Sequence, residues 1–502
     1  MIRAVQQGLR AGAVLAALVL LSFFFEVAVA RAQDTRAPDL TVPGALTGAA
    51  HETYTELPFE VPPGVGRVTV EFSYTGKEQK SVIDLGLRDP DRFRGWSGGN
   101  KSRFTVSEAD ATPSYLAGPL TPGTWRLILG APNIRKEARA EYLAKIWFEP
   151  AGAPFKGFAD KPIETGERWW RGDLHMHTGH SDGSCLSRRG VKIPCPVFKT
   201  LDAAVARHLD FVAVTDHNTT SHFEALRELA PYYDDLLILP GREITTFYGH
   251  ANLFGPTAFV DFQLGGPRAP KLSDVQAQIE KAGGVLSINH PSLPSGELCM
   301  GCGWTAPDTD YARVQAIEVV NSGAAEGPLS GMAFWEKRLD EGHRLTAIGG
   351  SDNHDATLDP AKPPAIGVPT TVVRAAELSQ PAILEAIRRG HVFLDVAGSR
   401  DRLLEVRASS GAVSAQMGDQ ISAASGSRVS VEVHVVGLPG GRIVLSGPAA
   451  ALALRPNPDI GSADQTTRFD LLADGKAHWL RIDVRSADGK LALIGNPIYL
   501  TP

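Results

Sequence analysis

From residue 165 to about 395, short apolar runs alternate with stretches whose apolar positions recur every three to four residues. The runs 210–214, 236–239, 285–288, 316–320, 345–348 and 370–373 are brief and rich in Val, Ile, Leu and Ala, as strands buried on both faces are. The stretches 201–208, 221–229, 272–282, 332–341 and 379–389 carry the helical period, with Ser273 and Ser379 where N-caps are expected. Repeated strand–helix alternation predicts a parallel α/β architecture, open or closed into a barrel. In such folds functional side chains gather at the carboxyl ends of the strands.

The flanks read differently. From about 44 to 160, runs such as 54–61, 67–72 and 125–129 alternate with a period of two, broken by Pro62-Pro63-Gly64 and Pro122-Gly123. From 400 to 502 the same alternation returns in 428–436, 442–445, 478–484 and 491–494. Each flank predicts a β-sandwich. Residues 33–43 are polar and Pro-containing, a linker. Ahead of them, Arg3 and Arg10 introduce an apolar run over 11–25, and Ala28-Val29-Ala30 and Ala30-Arg31-Ala32 fit a small-x-small cleavage site. Residues 1–32 therefore predict a secretory signal peptide and a mature chain that is periplasmic or secreted and free of the membrane. No other stretch is long and apolar enough to span a bilayer.

Composition changes the picture in two places. With 502 residues the chain exceeds one ordinary core. Its net charge of −6 gives no basic surface for nucleic acid. The four cysteines, Cys185, Cys195, Cys299 and Cys302, are an even number in a chain expected to be exported, which favours disulfides in one of three pairings. The competing reading is a zinc site, for which Cys299-x-x-Cys302 has suitable spacing. Nothing in the pattern specifies an oligomeric state.

Candidate chemistry sits where the strands end. His175 and His177 follow the first strand in Asp173-Leu174-His175-Met176-His177, and side-chain alternation turns both imidazoles the same way. Asp182 follows. Asp216 and His217 end the next strand, and Arg242 and Glu243 lie in Pro240-Gly241-Arg242-Glu243-Ile244. His250 comes in Gly249-His250-Ala251-Asn252, His290 in Asn289-His290-Pro291, and Asp352 and His354 in Ser351-Asp352-Asn353-His354. Eleven of the fourteen histidines fall within 165–395. A shared metal centre accounts for their placement at strand ends, and so many ligands are too numerous for one tetrahedral ion.

The order His-x-His, Thr-Asp-His, isolated Glu, His-Pro and Asp-x-His resembles that of the PHP (polymerase and histidinol phosphatase) superfamily. Gly-Arg-Glu-Ile-Thr, Gly-His-Ala-Asn and the added β-domains look most like its CehA/McbA branch. The resemblance covers about 170–395. It implies a distorted (β/α)₇ TIM-like barrel over 165–398, flanked by the two β-sandwiches. It also implies two or three divalent ions (Zn, Mn or Fe) at the strands' carboxyl ends. One ion would take His175, His177, Glu243 and Asp352. A second would share Glu243 and add His290 and His250. A third would take Asp182, His217 and His354. Asp216 in this pattern orients a neighbouring ligand.

The three carboxylates do not neutralise two or three divalent ions, so the set stays cationic. Such a site lowers the pKa of bound water, towards about 7 in favourable cases. The expected activity is an exported, metal-dependent hydrolase of a small-molecule ester that uses metal-bound hydroxide, with phosphodiesters ahead of monoesters. One alternative is hydrolysis of aryl carboxylesters or carbamates; another is a non-catalytic protein that binds polymer or cell wall. Arg188, in the loop between Cys185 and Cys195, and Arg242, beside Glu243, are candidate partners for a substrate oxyanion.

Overall fold

The computed structural model describes residues 36–108, 110–151, 158–159, 161–297, 299–454 and 458–502. The expected signal peptide lies outside the described residues. Among the described residues, no helix is long and apolar enough to cross a membrane. The chain is mixed α/β, with many strands and few helices.

Two four-stranded antiparallel sheets form the N-terminal part. One runs Leu40–Thr47, Arg139–Pro150, Val65–Tyr74, Arg103–Ser107; the other runs Thr53–Val61, Gly123–Asn133, Val82–Arg88, Phe93–Gly98. Their alternating inward residues, among them Val70, Leu87, Phe104, Leu127 and Ile146, share one buried core. The first strand begins inside the segment read as linker, with Leu40 opposite Ile146. Backbone pairing at a sheet edge builds it, and its only fully buried residue is Leu46.

The central layer contains β1 (Glu164–Asp173), β2 (Phe211–Val214), β3 (Leu237–Thr246), β4 (Gly249–Phe254), β5 (Val285–Ile288), β6 (Ala316–Asn321), β7 (Thr346–Gly350), β8 (Thr370–Leu378) and β9 (Val392–Asp395). Its helices are α1 (Val197–Ala206), α2 (His222–Leu229), α3 (Leu272–Lys281), α4 (Met332–Asp340) and α5 (Gln380–Arg389). Across the sheet the order is β7-β6-β5-β4-β3-β2-β1-β8-β9. β1 with β2, β2 with β3, β5 with β6, and β6 with β7 are parallel. The alternation predicts a parallel layer, but the layer is not parallel throughout. β4 is antiparallel to both β3 and β5. Only Phe247 and Tyr248 separate β3 from β4, and so short a link can make only a hairpin. β7 and β8 meet through a side chain: Thr371 Oγ1 accepts from Gly349 N at 2.9 Å and donates to Gly349 O at 2.7 Å.

Caps fix the helix starts. Ser379 Oγ accepts from Ala382 N, capping α5 as expected. Ser273 does not cap α3; the residue before that helix is Lys271, whose N–H donates to Asp274 at 2.9 Å.

The C-terminal part is not a separate sandwich. One of its sheets runs Val413–Gln416, Leu403–Ser410, Arg428–Val436, Asp464–Leu472. The facing strands extend the central layer, because Leu491–Gly495 pairs with β9, Phe393 opposite Gly495. Val372 and Phe393 of the central layer share the C-terminal core with Val431, Val433 and Ile482. Disulfides join Cys185 to Cys195 and Cys299 to Cys302.

Candidate metal centre

β1 ends at Asp173, yet the chain stays extended through His177. His177 N donates to Asn353 O at 2.9 Å, and Asp352 N donates to His175 O at 2.8 Å. Alternation survives as a result. Met176 turns into an apolar cluster with Val212 and Val214, while His175 and His177 turn the other way. Their Nε2 atoms lie 3.3 and 3.2 Å from Asp352 Oδ1. Wholly buried Asp173 ties the segments together, accepting from the backbone N–H of His175, Ser351 and Gly367. Gly350 permits the close approach; a Cβ there would collide with His175 Cβ and Glu318 Oε1.

Glu243 is the hub. On β3 it shares a face with Thr245 and opposes Arg242. Its Oε1 lies 3.5 Å from His175 Nε2, 3.4 Å from His250 Nδ1 and 3.4 Å from His290 Nε2. Its Oε2 lies 2.8 Å from His217 Nδ1 and 3.7 Å from His177 Nε2. To one side, Asp182 Oδ1 is 3.4 Å from His354 Nε2 and 3.7 Å from His217 Nε2. Donor atoms of His175, His177 and Glu243 lie within 4.8 Å of one another, as do those of His177, Asp182, His217 and His354, and of His175, His290 and Asp352. All nine residues of the expected ligand set thus converge, His250 included.

Most of these spacings exceed a hydrogen bond. Two ligands about 2.05 Å from one tetrahedral ion stand about 3.3 Å apart, close to what the imidazole–carboxylate pairs show. His175 Nε2 is buried and lacks a hydrogen-bond partner among the described residues. Leaving such an atom unsatisfied costs on the order of 1–3 kcal/mol. Mixed nitrogen and oxygen donors with an orphaned buried lone pair suit a divalent metal ion.

The imidazoles are held from behind. His175 Nδ1 is 3.0 Å from Glu318 Oε1, His250 Nε2 is 3.2 Å from Met300 O, and His290 Nδ1 is 3.1 Å from Cys302 O. His354 Nδ1 is 2.8 Å from Asp352 O. Each contact leaves the other ring nitrogen facing the cluster. Titration follows the same geometry. Burial works against a charged His175, but Asp352, Glu318 and Glu243 outweigh it and hold its pKa well above the usual value. Burial likewise opposes charge on Glu243 and Asp352; neighbouring histidines, His175 foremost, keep both well below the carboxylate range. Burial pushes His177 down to about 4. Burial also resists protonation of His354, yet Asp182 and Asp352 raise it to about 9.

One of the three expected non-ligand roles moves. Arg242 is no oxyanion partner. Its side chain leaves Glu243's face, donates to Val260 O at 2.6 Å and lies over Phe259. Asp216, read as a residue that orients a ligand, stands outside the cluster; it accepts from Thr178 N, Thr178 Oγ1 and Ser181 Oγ, and so braces the loop between His177 and Asp182. Arg188 is exposed beside the hairpin of Ser184–Leu186 and Lys192–Pro194, and no contact joins it to a cluster residue among the described residues. Sequence reading passed over Glu318, Asn289, whose Nδ2 donates to Glu243 Oε1 at 2.8 Å, and Thr245, 2.6 Å from His217 Nδ1. Glu318 did leave a signal, since it is the one charge in the fully buried strand β6.

No protein-family model matches the sequence, and no curated protein does. Among solved structures, the chain is similar to a two-domain protein from Bacteroides vulgatus containing a predicted PHP-like metal-dependent phosphoesterase. Identity is 18%, the match covers 70% of this chain and 98% of that one, and the TM-score is 0.37. It is also similar to a candidate metal-dependent phosphoesterase from Bifidobacterium adolescentis, at 16% identity over 46% of this chain and 98% of that one, with a TM-score of 0.29. Both superpositions are too loose to transfer a property to this chain.

Proposed function

We propose that this chain is a metal-dependent hydrolase of ester bonds, and within that class a phosphoesterase favouring phosphodiesters over monoesters. The carrying observation is the buried Glu243 carboxylate, ringed by His175, His177, His217, His250 and His290. The motif order, and the meeting of its residues in space, support a PHP barrel of the CehA/McbA type, with β1–β7 as its distorted (β/α)₇ wall. The same residues support two or three ions. His175, His177, Glu243 and Asp352 would hold one; Glu243, His250 and His290 a second; Asp182, His217 and His354 a third.

Divalent ions in such a site ease the ionisation of water and draw electron density from a phosphoryl oxygen. The chain's own residues supply the rest. Glu243, Asp352 and Asp182 leave the set cationic, which favours an anionic ester. The Asp182 side chain is 59% exposed and that of His354 39%, whereas those of His175, His177, Glu243 and His290 are buried. Substrate therefore approaches across Asp182 and His354. Ser184 N donates to His354 O at 2.8 Å, so the hairpin associated with Arg188 is rooted on that open side. This supports Arg188 as a cation that meets a phosphate there. The pattern of 1–32 and the two disulfides support export to the periplasm or beyond.

The ion-loaded protein is expected to hydrolyse bis-nitrophenyl phosphate faster than nitrophenyl phosphate. Faster turnover of nitrophenyl acetate would instead establish the carboxylester alternative. His175→Ala and Asp352→Ala should each abolish turnover with the near-ultraviolet circular dichroism retained. Unchanged rates in both would place the chemistry outside this cluster, and no turnover by the ion-loaded wild type would leave a non-catalytic binding protein.

A further inference from the structure

The Cys299–Cys302 loop lies against the centre without belonging to the ligand set described above. Its backbone accepts from two of the histidines: His250 Nε2 is 3.2 Å from Met300 O, and His290 Nδ1 is 3.1 Å from Cys302 O. The loop is seated closely. Gly301 has φ +78°, and a Cβ there would collide with Thr246 O at the β3–β4 turn. Cys302 is fully buried, and its Sγ lies within 4.8 Å of a ring nitrogen of His250 and of one of His290. Cys299 is partly exposed and Met300 is 73% exposed.

We propose that opening the Cys299–Cys302 disulfide creates a thiolate ion site, in which Cys302 Sγ joins His250 and His290 in holding a soft divalent cation such as zinc. Two imidazoles and one thiolate leave a fourth tetrahedral position open, a set that prefers zinc to manganese or magnesium. The asymmetry of exposure sets the chemistry. A thiolate of an external dithiol attacks the Sγ of Cys299, the more exposed residue of the pair, the S–S bond breaks, and Cys302 leaves as the buried thiolate. The second thiol of the reductant then displaces Cys299 from the mixed disulfide. The dithiol is oxidised to its own disulfide, and two electrons end on the two cysteines. Cys302 is thereby released beside two imidazoles already in place.

The inference rests on the ion-binding reading of His250 and His290 and adds sulfur to it; cobalt(II) reconstitution separates the two. Visible d–d bands report nitrogen and oxygen ligands, and a thiolate-to-cobalt charge-transfer band in the near ultraviolet reports sulfur. The oxidised protein should show only the first. Reduction by a dithiol, followed by anaerobic desalting, should add the second. Cys299→Ser should show it with no reductant, Cys302→Ser should never show it, and His290→Ala placed in Cys299→Ser should lose it. Cobalt bound with d–d bands but no sulfur band, in both the reduced protein and Cys299→Ser, overturns the thiolate site and leaves the hydrolase reading standing. If no preparation binds cobalt, both fall.

Discussion

His175 Nδ1 and Glu318 Oε1 stand 3.0 Å apart in a region closed to solvent. The other oxygen of Glu318 accepts from His290 N at 3.0 Å and from Asn321 Nδ2 at 3.0 Å. One carboxylate thus fixes a ring on β1's extension and the backbone of a residue after β5. His290 needs that hold, since its φ of 26° is a conformation costing on the order of 1–3 kcal/mol. A β-bulge between Glu318 and Val320 lets Glu318 and Asn321, three residues apart, reach the same side.

Glu318 is therefore a positioning residue. Glu318→Ala is expected to weaken ion binding by about 10–100-fold, the usual effect of losing the partner behind a ligating imidazole. Glu318→Gln, which still accepts the imidazole proton, should lose less. Isothermal titration of the ion-free variants measures both. Wild-type affinity in Glu318→Ala would remove this role.

The ion-free protein should have a stability optimum set by the cluster. His354 is raised from 6.5 to about 9 on folding, so its contribution is full below pH 6.5 and is lost as pH rises through about 9. Glu243 and Asp352 are depressed from 4.5 and 3.8, so theirs is present above those values and is lost as pH falls through the folded pKa. His177 is lowered from 6.5 to about 4, so stability also falls as pH drops from 6.5 towards 4, and urea denaturation should show a maximum near pH 6.5. Ion affinity runs the opposite way above the optimum. His354 must shed its proton, and affinity at its corner should rise about tenfold per pH unit until pH 9. A pH-independent affinity between 7 and 9 would exclude His354 from the ligand set.

Much of this was legible beforehand for definite reasons. Strands such as β2 and β5 are short apolar runs because both faces are covered, and their periodicity shows it. β4 was missed because Gly249-His250-Ala251-Asn252-Leu253-Phe254 carries polar residues in a buried strand; His250 Nδ1, for instance, lies 3.4 Å from Glu243 Oε1. The pairing of β9 with Leu491–Gly495 joins residues about a hundred positions apart, and no local pattern encodes it. His175, His217 and Asp352 were readable because each closes a strand in a motif. Arg242 was misread for an avoidable reason, since a neighbour of Glu243 on an extended strand points to the opposite side.

Arg242 yields a prediction of its own. It is 2% exposed, and its Nε and Nη1 have no hydrogen-bond partner among the described residues. Burial lowers its pKa to about 10. Replacing an imperfectly satisfied buried cation by an apolar side chain of similar length is often neutral or stabilising. Arg242→Met should therefore keep both the thermal midpoint and turnover. An oxyanion role would instead cost about 100–1000-fold in kcat.

Asp110 joins the N-terminal sheets to the central layer. It is fully buried, 2.9 Å from Arg67 Nη2 of its own sandwich, and paired with Arg227 of α2. Burial opposes its charge, but Arg67 and Arg227 outweigh burial and lower its pKa. Asp110→Ala removes the shared counter-charge of two guanidiniums and should destabilise the fold by about 3–5 kcal/mol. Asp110→Asn keeps the shape and the acceptor from Arg67, and should cost less. Urea unfolding followed by tryptophan fluorescence reads both. The ion content of the folded fraction should not change, because the ligands lie on strand ends that Asp110 does not touch. A loss below about 1 kcal/mol in Asp110→Ala would place this contact among weak surface pairs and leave the apolar packing to hold the sandwich in place.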